Sequence, residues 1–434
     1  ALFARVYKGY WDAAMKGIGS ETSVAIVVIL FMVGMISSLI KATGVAAGFV
    51  WLAQQIGLDV GYYTVFVFIA VGIIAMATGS SIGTMFTAFP IFYAAGLAIG
   101  AAPAPLAGAI LSAAILGDNL APISDTTIIS ASSQRFRRRN AVADIGGVVK
   151  SRSRYALVAA AISAVVFLVI GMTSNHAIGT EAQFSVGASP MPLLMLIPVG
   201  VMLIVAMTTR DIFLAVTVGL ILGTLTGLGA GLLTLSDIVG VSDGNPTGFL
   251  FAGVSSMLGT VALVISVFGI MGVLRGAGVM EVIVDKLTSS RLTSTPRGVE
   301  SAIGLGVTAT TLMFGGVNSA SMLAFGPIAD ELGARVNLHP YRRANVMDCF
   351  ALGLASVVPV LSAYLFIGML LTSGYEGTPA QSTFALFPVT VYPLALTAVM
   401  IFSVITGWGR RFEGADGAAT QIQAAPDAPA AQAA

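Results

Sequence analysis

The sequence predicts an all-α polytopic membrane protein, built from two inverted-topology repeats with re-entrant hairpins and broken transmembrane helices. Three observations carry that prediction. The chain is 56% hydrophobic and 9% charged, with a mean hydropathy of +0.93, whereas soluble domains carry about a quarter charged residues. Its Lys and Arg residues gather in a few of the segments between apolar stretches, as cytoplasmic loops do. Polar, glycine- and proline-bearing stretches interrupt the apolar segments at related places in the two halves.

A spanning helix needs about 20 mostly apolar residues. The stretches that qualify are 22–40, 62–78, 84–100, 106–131, 155–173, 193–209, 212–230, 256–274, 299–316, 320–330, 346–372 and 385–407. Within this set, 62–78 with 84–100 and 299–316 with 320–330 are short or glycine-interrupted, and read as re-entrant hairpins. The loop 134–154 holds Arg135, Arg137, Arg138, Arg139, Lys150, Arg152 and Arg154. Arg275, Lys286, Arg291 and Arg297 mark 275–298, and Arg335, Arg342 and Arg343 mark 331–345. These three loops are expected in the cytoplasm. Segments 174–192, 231–255 and 373–384 have no Lys or Arg and are expected outside. The assignments agree only if each hairpin leaves and returns on one side.

The expected organisation is a cytoplasmic segment at 1–20, a first repeat at 21–173, connecting helices at 174–255 and a second repeat at 256–412. A tail at 413–434, rich in Ala, Pro and Gln, can bury little, so it is expected to be disordered with a cytoplasmic C-terminus. The 50 glycines suit close helix packing in a membrane. A net charge of +1 with no large basic surface argues against nucleic acid as a partner. Cys349 stands alone, which excludes a disulfide framework and a multi-cysteine metal site. His176 and His339, both near loops, do not make a histidine metal site, and no cofactor is expected. No cleavable signal peptide is recognisable. The chain opens at Ala1 without an initiator Met, and further N-terminal sequence is expected.

A weak internal match appears at an offset near 237. Gly79-Ser80-Ser81-Ile82-Gly83-Thr84-Met85, ending at Pro90-Ile91, aligns with Gly316-Val317-Asn318-Ser319-Ala320-Ser321-Met322, ending at Pro327-Ile328. Pro122 then falls on Pro359, with Ser356 and Ser362 where Asn119 and Asp125 stand in the first half. Lys41-Ala42-Thr43-Gly44-Val45 matches Arg275-Gly276-Ala277-Gly278-Val279 at offset 234. The charge count sends 22–40 outward and 256–274 inward, so the halves are inverted. Paired interrupted helices in an inverted repeat are where secondary transporters bind their cargo.

The run Gly117-Asp118-Asn119-Leu120-Ala121-Pro122-Ile123-Ser124-Asp125-Thr126-Thr127 is the strongest chemical anomaly. A carboxylate at mid-membrane costs about 2.5–3.5 kcal/mol on insertion scales, and proline removes a helix hydrogen bond. Asp118 and Asp125 would lie two turns apart on one face of a continuous helix, and are candidate Na+ ligands. Pro122 frees a backbone carbonyl near position 118, and Asn119, Ser124, Thr126 and Thr127 add neutral oxygens. Burial also favours the proton-bound form of a carboxylate, so one group can exchange Na+ for H+. The structural alternative, an ion pair that only stabilises the fold, lacks a basic residue expected deep in the apolar segments. The glycine- and hydroxyl-rich tips add Thr78, Ser80, Ser81 and Thr84 from the first hairpin and Asn318, Ser319 and Ser321 from the second. Irregular backbone at this depth must be buried in protein or line a wet cavity; the alternative for each hydroxyl is helix packing. Asp348 and Glu300 read as helix-terminal charges or partners of Arg342 and Arg343. Lys41 should snorkel to the interface, Cys349 should pack inertly, and Arg210-Asp211 should form a turn with a helix cap.

These residues resemble the NhaC-type Na+/H+ antiporter family of the ion transporter superfamily, over about residues 20 to 407. Its members carry Gly-Asp-Lys-x-Ser-Pro-x-Ser-Asp-Thr-Thr after a Thr-Gly-Ser-Ser segment, matched here by Gly117 to Thr127 after Thr78-Gly79-Ser80-Ser81. Gly315-Gly316-Val317-Asn318-Ser319 and His339-Pro340-Tyr341-Arg342-Arg343-Ala344-Asn345 extend the likeness. Asn119 replaces the usual Lys and Ala121 a Ser. The resemblance implies Na+ and H+ as coupling ions, a multi-pass protein of the bacterial inner membrane, and a homodimer with elevator-like movement. The wider family also exchanges small organic solutes, amino acids and carboxylates, and loss of the motif lysine favours that alternative. A channel would need a repeated charged ring, and no metal cluster, nucleophile motif or phosphate loop suggests an enzyme.

Overall fold

A computed structural model describes residues 7–422 apart from 46, 49–50, 52–54, 56–59, 175–188, 210, 243, 279–290, 374–377 and 379. The expectations placed on His176, Arg210, Val279, Lys286 and the tail beyond 422 lie outside the described residues. Among those described, the chain is mostly helical, with two short antiparallel ribbons at 240–247 and 412–420.

The first half runs α1 (Tyr7–Ile18), α2 (Glu21–Ala42), α3 (Val60–Thr78), α4 (Ser81–Ala98), α5 (Pro103–Leu120), α6 (Asp125–Ser132) and α7 (Ile145–Thr173). Then come α8 (Leu196–Thr209) and α9 (Ile212–Gly229). The second half contains α10 (Phe249–Gly276), α11 (Pro296–Met313), α12 (Asn318–Arg335), α13 (Pro340–Ala351), α14 (Ala363–Leu371), α15 (Thr383–Val389) and α16 (Val391–Thr406). Each apolar stretch expected from the sequence contains helix, but α-helix is interrupted at 121–124 within 106–131 and at 352–362 within 346–372. Among the described residues, four helices are long and apolar enough on their own to cross a bilayer: Val60–Thr78, Ser81–Ala98, Pro103–Ser132 and Ile145–Thr173. The pair α15 and α16, bent by 53°, qualifies as one broken span.

Local chemistry sets the ends. Proline occupies the first turn of α5, α11 and α13, where its missing N–H is not needed. Asp144 accepts from the Gly147 amide at 2.7 Å to cap α7, and Asp211 caps α9 through the Leu214 amide at 3.0 Å, as the sequence suggested.

Beside one small cluster around Ala131, Ala143, Val148 and Ala344, two large apolar cores form among the described residues. The larger joins α3, α4, α5 and α7 to α11 through α16. The smaller gathers Ile36, Leu39, Met195, Met202, Val216 and Phe249 from α2, α8, α9, α10 and the turn before α8. In the larger core α3 and α5 lie so close that a Cβ on Gly117 would sit 2.1 Å from the Ala75 Cβ. Only glycine permits that approach, and it brings the end of α3 beside Asp118.

Disorder was expected from Glu413 onward. Instead, Phe412–Glu413 pairs with Ala419–Thr420, because the buried Glu413 carboxylate accepts from the amides of Arg137 at 2.9 Å and Arg138 at 2.8 Å. The anchored segment helps bury His339, whose ring meets Phe136 and Tyr341 edge-on.

Two outcomes follow from this packing. Gly117→Val forces α3 and α5 apart, and should lower unfolding stability by about 1–3 kcal/mol, read by thermal unfolding in detergent. Burial pushes the His339 imidazole down to about 4 from an ordinary 6.5. Between those values the unfolded chain takes up a proton that the folded chain refuses, so stability should fall as pH drops from 6.5 towards 4. His339→Gln should flatten that part of the profile, measured as its melting temperature relative to wild type at pH 7 and pH 4.5.

Candidate ion site at the helix breaks

Helix α5 stops inside the larger core. The Ala121 amide makes the last helical bond, to the Gly117 carbonyl at 2.8 Å, and Pro122 has no N–H for the Asp118 carbonyl. The chain turns at Pro122–Ile123, where the Ser124 amide bonds the Ala121 carbonyl at 3.3 Å, and restarts as α6 at Asp125. Opposite this break, Gly79 turns out of α3 with φ +67°, and a Cβ there would lie 2.6 Å from Ile123 Cγ1. The second half has a similar contact. Gly315 and Gly316 leave α11 at φ +63° and +81°. The Gly315 carbonyl accepts from the Ala363 amide at 2.8 Å, and a Cβ on Gly316 would come 3.1 Å from the Ser356 carbonyl.

Asp118 is 2% exposed and surrounded by hydroxyls. Ser81, at the start of α4, donates to Oδ2 at 2.7 Å. Ser124 donates to Oδ1, and Thr126 reaches the same oxygen at 3.4 Å while bonding Ser124 at 2.7 Å. Ser81 also meets the Tyr364 hydroxyl at 3.0 Å. Asn318, with its nitrogen donating to the carbonyls of Gly316 at 3.1 Å and Ala351 at 2.9 Å, offers its oxygen to Tyr364 at 3.1 Å. Polar contacts through Asp118, Ser81, Tyr364 and Asn318 therefore cross from one half to the other. No Lys, Arg or His among the described residues forms a salt bridge with Asp118.

A second buried network lies behind it. Arg152 and Asp348 are wholly buried and pair at 3.0 Å. Arg152 also donates to the Asn119 carbonyl and Thr127 Oγ1, each at 2.9 Å, to Ser130 Oγ at 3.0 Å and to Asn345 Oδ1 at 3.2 Å. Asn119 gives its amide to Asp348 at 2.7 Å and takes a hydrogen bond from Tyr392 at 3.0 Å. It thus faces the Arg152 network, whereas its neighbour Asp118 faces the hydroxyls. Two expectations change here. Arg152 belongs to the deep core although it closes a basic loop in the sequence. Asp348 partners Arg152; Glu300 pairs with Arg342 at 2.7 Å as anticipated, and Arg343 goes to Asp330 at 2.6 Å.

The remaining candidates divide. Asp125, first in α6, is exposed and accepts from Ser319, its own hydroxyl partner rather than one shared with Asp118. The helix break thus gives the two carboxylates different surroundings, where a continuous helix would have aligned them. Thr78 bonds Thr84 at 2.8 Å, Thr84 bonds the Ser80 carbonyl at 2.7 Å, and exposed Ser80 caps α4 through the Gly83 amide at 3.1 Å. Ser321 bonds Thr311 at 2.8 Å. These four bonds hold the tips in shape without touching Asp118. Sequence reasoning missed Tyr364, Tyr392 and Arg152. The only available signal was position: Tyr364 lies two residues past Ser362, which matched Asp125 in the repeat. Arg152→Ala strands Asp348 without its cation and should cost about 3–5 kcal/mol in unfolding stability. Denaturation in detergent reads this, and a loss below ~1 kcal/mol would mean the pair carries little of the core.

Comparison with known proteins places this arrangement. The Na+/H+ antiporter family model matches residues 8–172 and 140–408. The malate-2H+/Na+-lactate antiporter of Bacillus subtilis is 28% identical over 308 residues, which cover 65% of this chain and 63% of that protein's length. An uncharacterized Na+/H+ antiporter of Haemophilus influenzae is 22% identical over 357 residues, 77% of this chain and 72% of that protein. The Na+/H+ antiporter NhaC of Alkalihalophilus pseudofirmus is 24% identical over 333 residues, 71% of this chain and 69% of that protein. The family match runs through both helix breaks and the buried carboxylate between them, and the chain belongs to the Na+/H+ antiporter family.

Proposed function

We propose that this protein is a secondary active transporter that exchanges Na+ for H+, with Asp118 as the group that holds either ion in turn. The observation that carries this reading is the contrast between two buried carboxylates. Asp348 is neutralised by Arg152, so it gains nothing from a cation. Asp118 has hydroxyl partners only, and a buried charge without a counter-ion is expensive. A proton or a Na+ ion relieves that cost, and the two compete for the same oxygens. Ser81, Ser124 and Thr126 offer hard neutral oxygens suited to Na+. Asp125 and Ser319 lie on the exposed side of the break and would receive the ion on its way in or out.

The inverted-repeat reading gains support from Gly79 and Gly316, which stand at the offset of the sequence match and each pack against the helix break of their own half, at Ile123 and at Ser356. On this reading α3 with α4 and α11 with α12 are the two re-entrant hairpins. The protein then sits in the bacterial inner membrane with its C-terminus in the cytoplasm, as a homodimer whose transport unit moves against a lipid-facing scaffold. A second reading is exchange of a small organic acid together with the ions. The Bacillus subtilis relative, whose name records malate, lactate, H+ and Na+, and Asn119 in place of the family's lysine favour it.

Purified protein in liposomes loaded with a pH-sensitive dye tests both. A Na+ gradient alone should drive proton flux, Asp118→Asn should reduce it to background, and Ser124→Ala should raise the half-saturating Na+ concentration about tenfold, the worth of one hydrogen bond to a charged group. Flux that requires malate or lactate would replace the first reading with the second. Full flux in Asp118→Asn would remove Asp118 from the mechanism.

A further inference from the structure

A basic cleft and an apolar groove meet at one end of α7 and α16. The cleft has a volume of about 700 Å³ and is lined by Arg154, Arg297, Arg410, Arg411, Thr295 and Trp408, with no acidic side chain on its wall among the described residues. The groove, about 420 Å³, is lined by Val158, Ile162, Val399, Phe402 and the same Trp408. From the continuity of the two we propose that this face binds one anionic phospholipid, its phosphate in the cleft and an acyl chain along the groove.

Charge complementarity is the first argument. Buried Glu300 is shared by Arg342 at 2.7 Å and Arg410 at 2.6 Å, so that trio keeps one positive charge. Among the described residues, Arg154 hydrogen-bonds the Ser151 carbonyl of its own helix and lies over the Tyr155 ring at 6.0 Å, and Arg411 hydrogen-bonds the Arg410 carbonyl. Arg297 is exposed. No salt bridge among the described residues neutralises any of these three. The cleft therefore holds an excess of about four positive charges beside an apolar surface. A soluble anion would satisfy the cleft but leave the groove unexplained.

Register is the second. Arg154, Val158 and Ile162 are spaced by four and form one stripe along α7, which leads from the charged cleft into the apolar groove. The other wall steps the same way, from Trp408 back through Phe402 to Val399 on α16. Val158, Ile162 and Phe402 are 42%, 44% and 58% exposed, a surface that soluble proteins cover and lipid tails fill. Trp408 stands at the junction, where its ring suits the boundary between headgroups and chains. Basic pockets beside spanning helices bind anionic headgroups by this chemistry.

Trp408 reports on its own site. Full-length protein carrying Trp11→Phe and Trp51→Phe is reconstituted in bilayers that contain either brominated phosphatidylglycerol or brominated phosphatidylcholine, in which bromine quenches a tryptophan it touches. Phosphatidylglycerol should quench Trp408 at lower mole fraction than phosphatidylcholine. That preference should fall about fivefold with Arg297→Gln, the effect of one basic residue near an anionic surface, and survive Arg297→Lys. Equal quenching by the two lipids would overturn the proposal, as would a preference that persists in Arg154→Gln/Arg297→Gln/Arg411→Gln. Loss of the preference in millimolar inorganic phosphate would assign a small-anion site and overturn it too.

Discussion

The charge on Asp118 has to be satisfied inside an apolar core, and the surrounding architecture answers that requirement. A continuous helix offers a buried carboxylate no donors, because its amides are already spent on its own carbonyls. The chain therefore stops at Leu120, and the turn that leads to Ser124 returns hydroxyls to the carboxylate it has just passed. A second break, at Gly79, places Ser81 on the other oxygen. Each break in turn needs close packing to hide its loose backbone, which is why a glycine at 117 lets α3 lie directly against α5.

The two buried carboxylates differ in their partners. Arg152 bonds α5, α6 and α13 at once, and with Asp348 it fixes the geometry of the break from behind. Breaking such a pair is costly, so its charge is not available for exchange. Asp118, one residue before Asn119, points into hydroxyls alone. Adjacent residues on one helix end thus face a fixed ion pair and a vacancy in charge. The anionic-lipid site proposed at α7 and α16 would hold the far side of the same scaffold, through the Glu300 trio.

Much of this was legible in the sequence, and for identifiable reasons. Helix spans follow from apolar length, so each expected stretch contains helix, although 106–131 and 346–372 are broken. Asp118, Ser124 and Thr126 were found because a proline and a carboxylate in an apolar run contradict local helix rules. Ser81, Asn318 and Ser319 were found because glycines mark the breaks that carry them. Arg152 was hidden by its neighbours: in a loop with six other basic residues nothing distinguishes the one that turns inward. Tyr364 and Tyr392 were hidden because a tyrosine in an apolar helix looks like packing until its hydroxyl partner is located. The order seen after Glu413 depends on a carboxylate meeting two amides more than 270 positions away in the chain, which composition does not encode.

The central claim is that Na+ and H+ contend for one carboxylate. The direct measurement is proton release when Na+ is added to purified protein in weakly buffered detergent at neutral pH, with Asp118→Asn as the comparison. The account predicts that Na+ displaces protons from the wild type and none from the variant. Na+ binding that releases no proton from the wild type, or equal release from both proteins, would contradict it.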